Sequence, residues 1–324
     1  MRRGLTIALS AALILAAPAF AQPKPPQPKS PPPAAANAPP DDPNADLAFG
    51  AYQRGYYKTA FTEAVKRAQQ NDPKAMTLLG ELYAQGFGVP RDDSKAAQWY
   101  KQAAGLGDRE AMFALAMFAF EGRAGARSPE EGARLLASAA KLGHPAASYD
   151  LGLLYLQGQQ FPQDFKRAAE LFTVAAEAGN SEAQYALATM LKEGRGVPKD
   201  LTVAMKLMAK ASVAGNIDAM VEYAIAQFNG DGVEKDETAA ARLFLISARQ
   251  GSPIAQNRLA RILMAGRGLP ADPAEAVKWH LIAKAGGAGD PELDLFAGKQ
   301  TQEVRDAAKK AADKWLYTQA ALRP

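Results

Sequence analysis

Small and apolar residues return along this chain at a fixed interval of 36 positions. Ala75, Leu79, Gly86, Ala97, Ala104 and Gly107 recur as Ala147, Leu151, Gly158, Ala169, Ala176 and Gly179. They recur again as Ala183, Leu187, Gly194, Met205, Ser212 and Gly215, with no insertion or deletion between copies. Within one copy, Ala75, Leu79 and Tyr83 fall at steps of four, one stripe of a helix expected over about 74–85. Gly80 beside that stripe lets a second helix come close. Gly86 and Pro90 then end the first helix, because glycine accepts the left-handed cap conformation and proline cannot continue a helix. Asp92 or Asp93 is placed to cap the second helix, whose inward face is expected to carry Ala96, Ala97, Tyr100 and Ala104. Gly107 ends it, and Asp108 caps the next copy. Ser128-Pro129-Glu130-Glu131 and Asp272-Pro273-Ala274-Glu275 sharpen the signal: a capping residue, proline at the first helical position, glutamate at the third. A period of this size predicts stacked helix pairs, since one pair alone leaves its apolar face uncovered. The expected fold class is all-α, a solenoid.

The full motif is Ala-x-x-x-Leu-Gly-x-x-Tyr-x-x-Gly-x-Gly-Val-Pro-x-Asp, followed by Lys-Ala-x-x-Trp-Tyr-x-x-Ala-Ala-x-x-Gly. It is carried here by Ala75, Leu79-Gly80, Tyr83, Gly86, Gly88-Val89-Pro90 and Asp92, then Lys95-Ala96, Trp99-Tyr100, Ala103-Ala104 and Gly107. This resembles the Sel-one-like repeat family, relatives of the tetratricopeptide repeats with a longer loop between the helices. The resemblance covers about 74–287, and more loosely 46–73, where Ala48-Phe49-Gly50-Ala51-Tyr52 and Ala60-Phe61 suggest a repeat with a shortened loop. It implies a right-handed α-solenoid of stacked antiparallel helix pairs. Residues 45–73 would form a half-conserved first repeat, 74–289 six full repeats, and 290–324 the capping helices. Copies two and three depart in the loop, with Arg123-Ala124-Gly125-Ala126 and Gln159-Gln160-Phe161-Pro162. The last helix is expected to face Arg305, Asp306, Lys309, Lys310, Asp313 and Lys314 outward and Val304, Trp315 and Leu316 inward, closing the end of the stack.

Ahead of the repeats, Met1-Arg2-Arg3, an apolar run from Leu5 to Ala17 and Ala19-Phe20-Ala21 make a secretory signal peptide over residues 1–21. Its apolar run is well short of the ~20 residues that a membrane span needs. The protein is therefore expected to be exported, in the periplasm or secreted. Residues 22–44, dominated by Pro and Ala, cannot bury a core and are expected to be an extended, disordered linker. The chain has no cysteine, which excludes disulfides, a cysteine nucleophile and a lipid anchor at the cleavage point. The formal charge of +4 falls to +2 without Arg2 and Arg3, and no basic block with interleaved aromatics appears. Nucleic acid is not an expected partner.

Candidate chemistry is sparse. His144 and His280 are the only histidines; neither has a second ligand at metal-binding spacing, so no metal and no cofactor is expected. Gly194-Arg195-Gly196 and Gly266-Arg267-Gly268 superficially match phosphate-cradling loops, yet they follow a helix at the cap register, where a phosphate loop follows a strand. In relatives of this repeat the first helix of each pair lines the concave surface, at positions equivalent to Thr77, Glu81 and Ala84. Down the chain these positions read Phe113, Met117 and Phe120; Tyr149, Leu153 and Leu156; Tyr185, Thr189 and Lys192; Val221, Ile225 and Phe228. Two readings stay open. In one, Phe113, Met117, Phe120, Tyr149, Leu153, Tyr185, Ile225 and Phe228 line a groove that takes a protein or peptide partner. In the other, a tightly wound stack packs them against neighbouring repeats. The leading expectation is a non-catalytic, exported interaction scaffold. A cell-wall-related hydrolase or β-lactam-binding protein, as implied by exported relatives rich in cysteine, and a secreted host-interaction factor are the alternatives.

Overall fold

The structure is a computed structural model that describes residues 47–321; the expected signal peptide and Pro/Ala-rich segment lie outside the described residues. Those residues form sixteen α-helices and no strand. A short pair, α1 (Leu47–Gln53) and α2 (Tyr57–Ala68), comes first. Six pairs of thirteen-residue helices follow: α3 (Pro73–Gln85) with α4 (Asp93–Gly105), α5 (Arg109–Glu121) with α6 (Pro129–Lys141), and α7 (Pro145–Gln157) with α8 (Phe165–Glu177). The series continues through α9 (Ser181–Glu193) with α10 (Leu201–Val213), α11 (Ile217–Asn229) with α12 (Glu237–Arg249), and α13 (Pro253–Ala265) with α14 (Pro273–Ala285). The last pair is α15 (Pro291–Gly298) and α16 (Gln302–Ala321). From α1 through α14 each helix packs on the next, and α16 returns onto α14. This is an α-solenoid.

Capping chemistry sets the helix ends. Asp72, Asp108, His144, Asn180, Asn216 and Ser252 each accept a backbone N–H at the start of a first helix. Asp92, Ser128, Asp164, Asp200, Asp236 and Asp272 do the same for the second helices. Between the two candidates at the first of these caps, Asp92 makes the bond, accepting from Lys95 N–H at 2.9 Å. Asp93 turns instead to the Arg123 guanidinium, 2.6 Å away. Every first helix of the six thirteen-residue pairs stops at a left-handed glycine, as at Gly86 (φ 72°) and Gly230 (φ 85°).

Inside each pair one bulky side chain fills a gap left by small ones. Tyr100, Leu136, Phe172, Met208, Phe244 and His280 hold the same register on the second helix, and none is more than 2 % exposed. They press against Gly80, Ala116, Gly152, Ala188, Ala224 and Ala260 on the first helix. The fit leaves no room for more. A methyl group on Gly80 would sit 2.5 Å from the Tyr100 ring, and one on Gly152 would sit 2.6 Å from the Phe172 ring. Ala103 is the fully buried member of the α4 face, while Ala104, expected there, is only half-buried. The difference is one helical position, about 100° of rotation around the axis.

Successive pairs are tied by the inter-helix loops. In four of the six full units the residue after the cap glycine reaches the first residue of the preceding second helix, 30 positions back. Phe87 stacks on Tyr57 with centroids 4.5 Å apart, Arg123 pairs with Asp93, Arg195 lies 4.9 Å over the Phe165 ring, and Arg267 pairs with Glu237. The Asp93 carboxyl is held at a pKa of about 2, chiefly by its hydrogen bonds from Arg123. The departing loops adjust locally. Ala124 takes a left-handed φ of 59° where four of the other five copies have glycine, and Phe161 folds back to stack on Tyr155 at 4.9 Å.

At the far end, Trp315 meets Trp279 edge-on with centroids 6.0 Å apart, and Ala308 and Ala312 are buried. Asp306, Lys309, Lys310, Asp313 and Lys314 face solvent. Arg305 departs from the expected outward set: it is half-buried and donates to the Gly298 and Gln300 carbonyls.

Two glycine substitutions test the seam. Gly152→Ala forces a methyl into the Phe172 ring and is expected to cost about 1–3 kcal/mol of stability in urea unfolding. Gly105→Ala, in a helix end with nothing within 4 Å, is expected to stabilise by up to about 1 kcal/mol. Equal effects from both would contradict the account of the seam.

Candidate partner-binding surface

First helices of successive units lie side by side. Thr77 donates to Asp108 at 3.0 Å, His144 meets Glu110 at 2.9 Å, Lys192 donates to Glu222 at 2.7 Å, and Arg261 donates to Asp290 at 2.6 Å. These links join one unit's first helix to the start or body of the next, so the first helices form one layer. Hydrogen bonds from Arg261, Asn257 and the Leu293 N–H hold Asp290 at about 2, overcoming the burial that pushes the other way.

On this layer sit the eight residues expected to form a partner site, and all eight are half-buried. Phe113, Met117 and Phe120 rest on the cluster around Leu136, and Tyr149 and Leu153 on that around Phe172. Tyr185 rests on the cluster around Met208, and Ile225 and Phe228 on that around Phe244. Each therefore spends part of its surface on the core of the stack. Phe120 goes furthest inward: a methyl on Gly132 of the partner helix would touch its ring at 2.7 Å. Two positions of the same stripe, Ala84 and Val221, are fully buried. Near the C-terminal end, Ile225 and Phe228 line a hollow of about 350 Å³ with Phe244, Arg258, Arg261 and Met264.

The other candidates are accounted for by structure. His144 replaces the usual cap residue: its Nδ1 accepts from the Ala147 N–H at 3.1 Å, so Nε2 carries the proton and donates to Glu110. Phe113 stacks on that ring with centroids 4.5 Å apart. His280 plugs the seam of the last full pair and meets Asp294 at 2.8 Å. Gly194 and Gly266 are helix caps. The Ser-x-x-Lys spacing that a hydrolase uses, expected to be missing, is present as Ser138-Ala139-Ala140-Lys141. Ser138 is exposed on α6, and its hydroxyl donates to the Arg134 carbonyl of its own helix at 3.1 Å.

Asp150 was also missed. It occupies the middle of α7 on the first-helix layer, half-buried, and makes no hydrogen bond or ion pair among the described residues. Burial alone pushes its carboxyl up to about 7. The neighbouring Tyr149 hydroxyl is pushed up to about 12 by burial, with Asp150 and Glu182 adding to the effect. The signal was in the sequence: at this register the other copies read Leu78, Ala114, Ala186, Glu222 and Arg258, so an aspartate in mid-helix breaks an otherwise apolar run in the first four.

A family model for the Sel1 repeat matches residues 73–108, 109–144, 145–180, 181–216, 217–252 and 253–287. The chain belongs to the Sel1 repeat family. Among solved structures, this Sel1 repeat protein is similar to a Sel1 repeat protein from Oxalobacter formigenes, with 27% identity and a TM-score of 0.63. That match covers 74% of this chain and 97% of the other. It shares its fold with a protective antigen of uropathogenic Escherichia coli that displays an SLR fold, at 24% identity and a TM-score of 0.59, covering 84% of this chain and 67% of that one. Comparison with curated protein sequences gave no match. Sel1 repeats mediate contacts between proteins, and scaffolds of this type are typically non-catalytic. Among the described residues of this Sel1 protein, no helix is long and apolar enough to cross a membrane.

Asp150 makes stability depend on pH. Its folded pKa lies above the usual carboxylate value, so between about pH 4 and 7 the folded state holds more protons than the unfolded one. Stability therefore falls as pH rises through that window. Asp150→Asn is expected to be more stable than the parent at pH 8 by about 2 kcal/mol, less than the full shift implies because the carboxylate keeps some contact with water. Near pH 3.5 the two should unfold at the same urea concentration. A difference independent of pH would refute this assignment.

Proposed function

We propose that this protein is a non-catalytic, exported scaffold that holds a segment of a partner protein along its layer of first helices. One observation carries the reading. Aromatic and aliphatic side chains from four consecutive units line one face, each anchored on the core and each keeping exposed surface. Anchors of this kind bind at low ordering cost, because their rotamers are already fixed by packing. Phe113, Tyr149, Tyr185 and Phe228 are the proposed contacts, and Glu121, Gln157, Glu193 and Asn229, which end successive first helices, supply the polar rim. Repeat stacking keeps these residues in a rigid row about four units long.

Export is supported by the basic start, short apolar run and Ala19-Phe20-Ala21 of the N-terminus, and the periplasm is the proposed compartment. Mass spectrometry of the protein from an envelope fraction is expected to find a mature N-terminus at Gln22. A chain beginning at Met1 in the cytoplasm would overturn that part.

The surface itself is tested by affinity capture from the same fraction. The parent chain is compared with a Tyr149→Ala, Tyr185→Ala double variant whose helicity and unfolding midpoint are checked first. Loss of most of the captured partner by the folded double variant is expected. Equal recovery would remove the first-helix layer as the site and leave the scaffold without one.

A further inference from the structure

The layer of first helices is acidic, and the second helices are basic. Helices α3, α5, α7, α9 and α11 carry eight acidic and three basic side chains. Helices α4, α6, α8, α10 and α12 carry six acidic and ten basic. The eight acids are not scattered around their helices. They fall three or four residues apart in register, on the same side as the aromatic stripe. Helix stability explains some of them, since Glu110, Glu182 and Asp218 sit in first turns where a negative charge is favourable. Glu121 and Glu193, at the helix ends that favour cations, lie 4.0 and 3.6 Å from the loop guanidiniums of Arg123 and Arg195, so they too have counter-charges within the chain.

Helix stability explains Asp150 least of all. Aspartate is a poor helix former, this one is half-buried, and it has no partner. The repeat itself shows what is missing. Two units further on, Glu222 holds the register of Asp150 and accepts a hydrogen bond from Lys192 of the preceding first helix at 2.7 Å. The residue in the place of Lys192 before Asp150 is Phe120. Phe120 turns inward onto Gly132, so the register that supplies a cation to Glu222 supplies none to Asp150.

Resting on the reading of the first-helix layer as the partner site, we propose that its occupant is a basic peptide segment whose lysine or arginine side chain gives Asp150 the counter-charge that Lys192 gives Glu222. Tyr149, the neighbour of Asp150 on the half-buried layer, offers that cation an aromatic ring as well as a counter-charge. Apolar residues of the segment on either side of the cation lie on the remaining stripe. The acidic stretch ends at the last full unit, where α13 carries Arg258 and Arg261 and no acid, which sets how far a basic segment extends. A carboxylate that weakens the free protein and gains its partner only in the complex is a binding group kept against stability.

The test is selection of a random dodecapeptide library displayed on phage against the full exported chain, followed by fluorescence anisotropy with the enriched peptides. Enrichment of lysine or arginine flanked by apolar residues is expected, with binding weakened at least tenfold by Asp150→Asn. The same substitution is expected to raise the unfolding midpoint at pH 8, so lost binding cannot be assigned to lost folding. Replacing the peptide's basic residue by norleucine should weaken binding to the parent and make little difference to Asp150→Asn. Enriched peptides without a basic residue that still need Tyr149 and Tyr185 would retain the surface and overturn the cation. Peptides indifferent to both Tyr149/Tyr185 and Asp150, or no enrichment at all, would overturn the proposal together with the surface. Sedimentation of the chain alone supplies a further check: a dimer closed over this face and unchanged by Asp150→Asn would show a second copy as occupant and overturn it.

Discussion

Everything in this fold depends on how closely two thirteen-residue helices approach within one pair. The approach is set by glycine or alanine at the register of Gly80, Gly152 and Ala260, against which a single large side chain is driven to near-complete burial. The large residue varies freely among Tyr, Leu, Phe, Met and His, because the hole is defined by what its walls lack. A methyl too many on the wall meets a ring at about 2.5 Å, whereas a change of plug is absorbed by the plug's own rotamer. With the pair's geometry fixed, each unit presents the same flank to the next, and six copies stack without correction.

Contacts between units follow a different rule: constant position and changing chemistry. The residue after the cap glycine meets the start of the preceding second helix by ring stacking at Phe87, by ion pairing at Arg123 and Arg267, and by a cation over a ring at Arg195. What is preserved is a distance along the chain. The backbone brings the two sites together, and any pair of side chains with mutual attraction serves. This tolerance frees the first-helix layer to carry residues chosen for something other than stacking.

That layer is where stability and use diverge. Half-buried Phe113, Tyr149 and Phe228 contribute to the stack and still offer surface, so they satisfy both demands. Asp150 satisfies only one. Half-buried without a counter-charge, it raises the free energy of the folded chain at neutral pH, a cost that the rest of the stack offsets. The excess of acids on the first helices and of bases on the second gives the two layers opposite sign within a chain of modest net charge.

Period, helix boundaries, caps and seam were legible in the sequence because each is a local requirement repeated six times. A glycine that must be left-handed, an aspartate that must precede a helix and an alanine that must leave room declare themselves by recurrence. The eight partner-face residues were legible as a stripe for the same reason. How much of each remains exposed was not, because Phe113 and Val221 share a register and end half-buried and fully buried. Exposure is decided by the side chains of the adjoining units, which lie tens of residues away. The choice of Asp92 over Asp93 as cap was by contrast legible in the repeat, since Asp92 shares the register of Ser128, Asp164, Asp200, Asp236 and Asp272. The isolation of Asp150 belongs to the same class as exposure. Its sequence gives a carboxylate on a helix face, but only the packed stack brings Lys192 to Glu222 and puts Phe120 in the corresponding place before Asp150, and a missing counter-charge exists only once neighbours are in position.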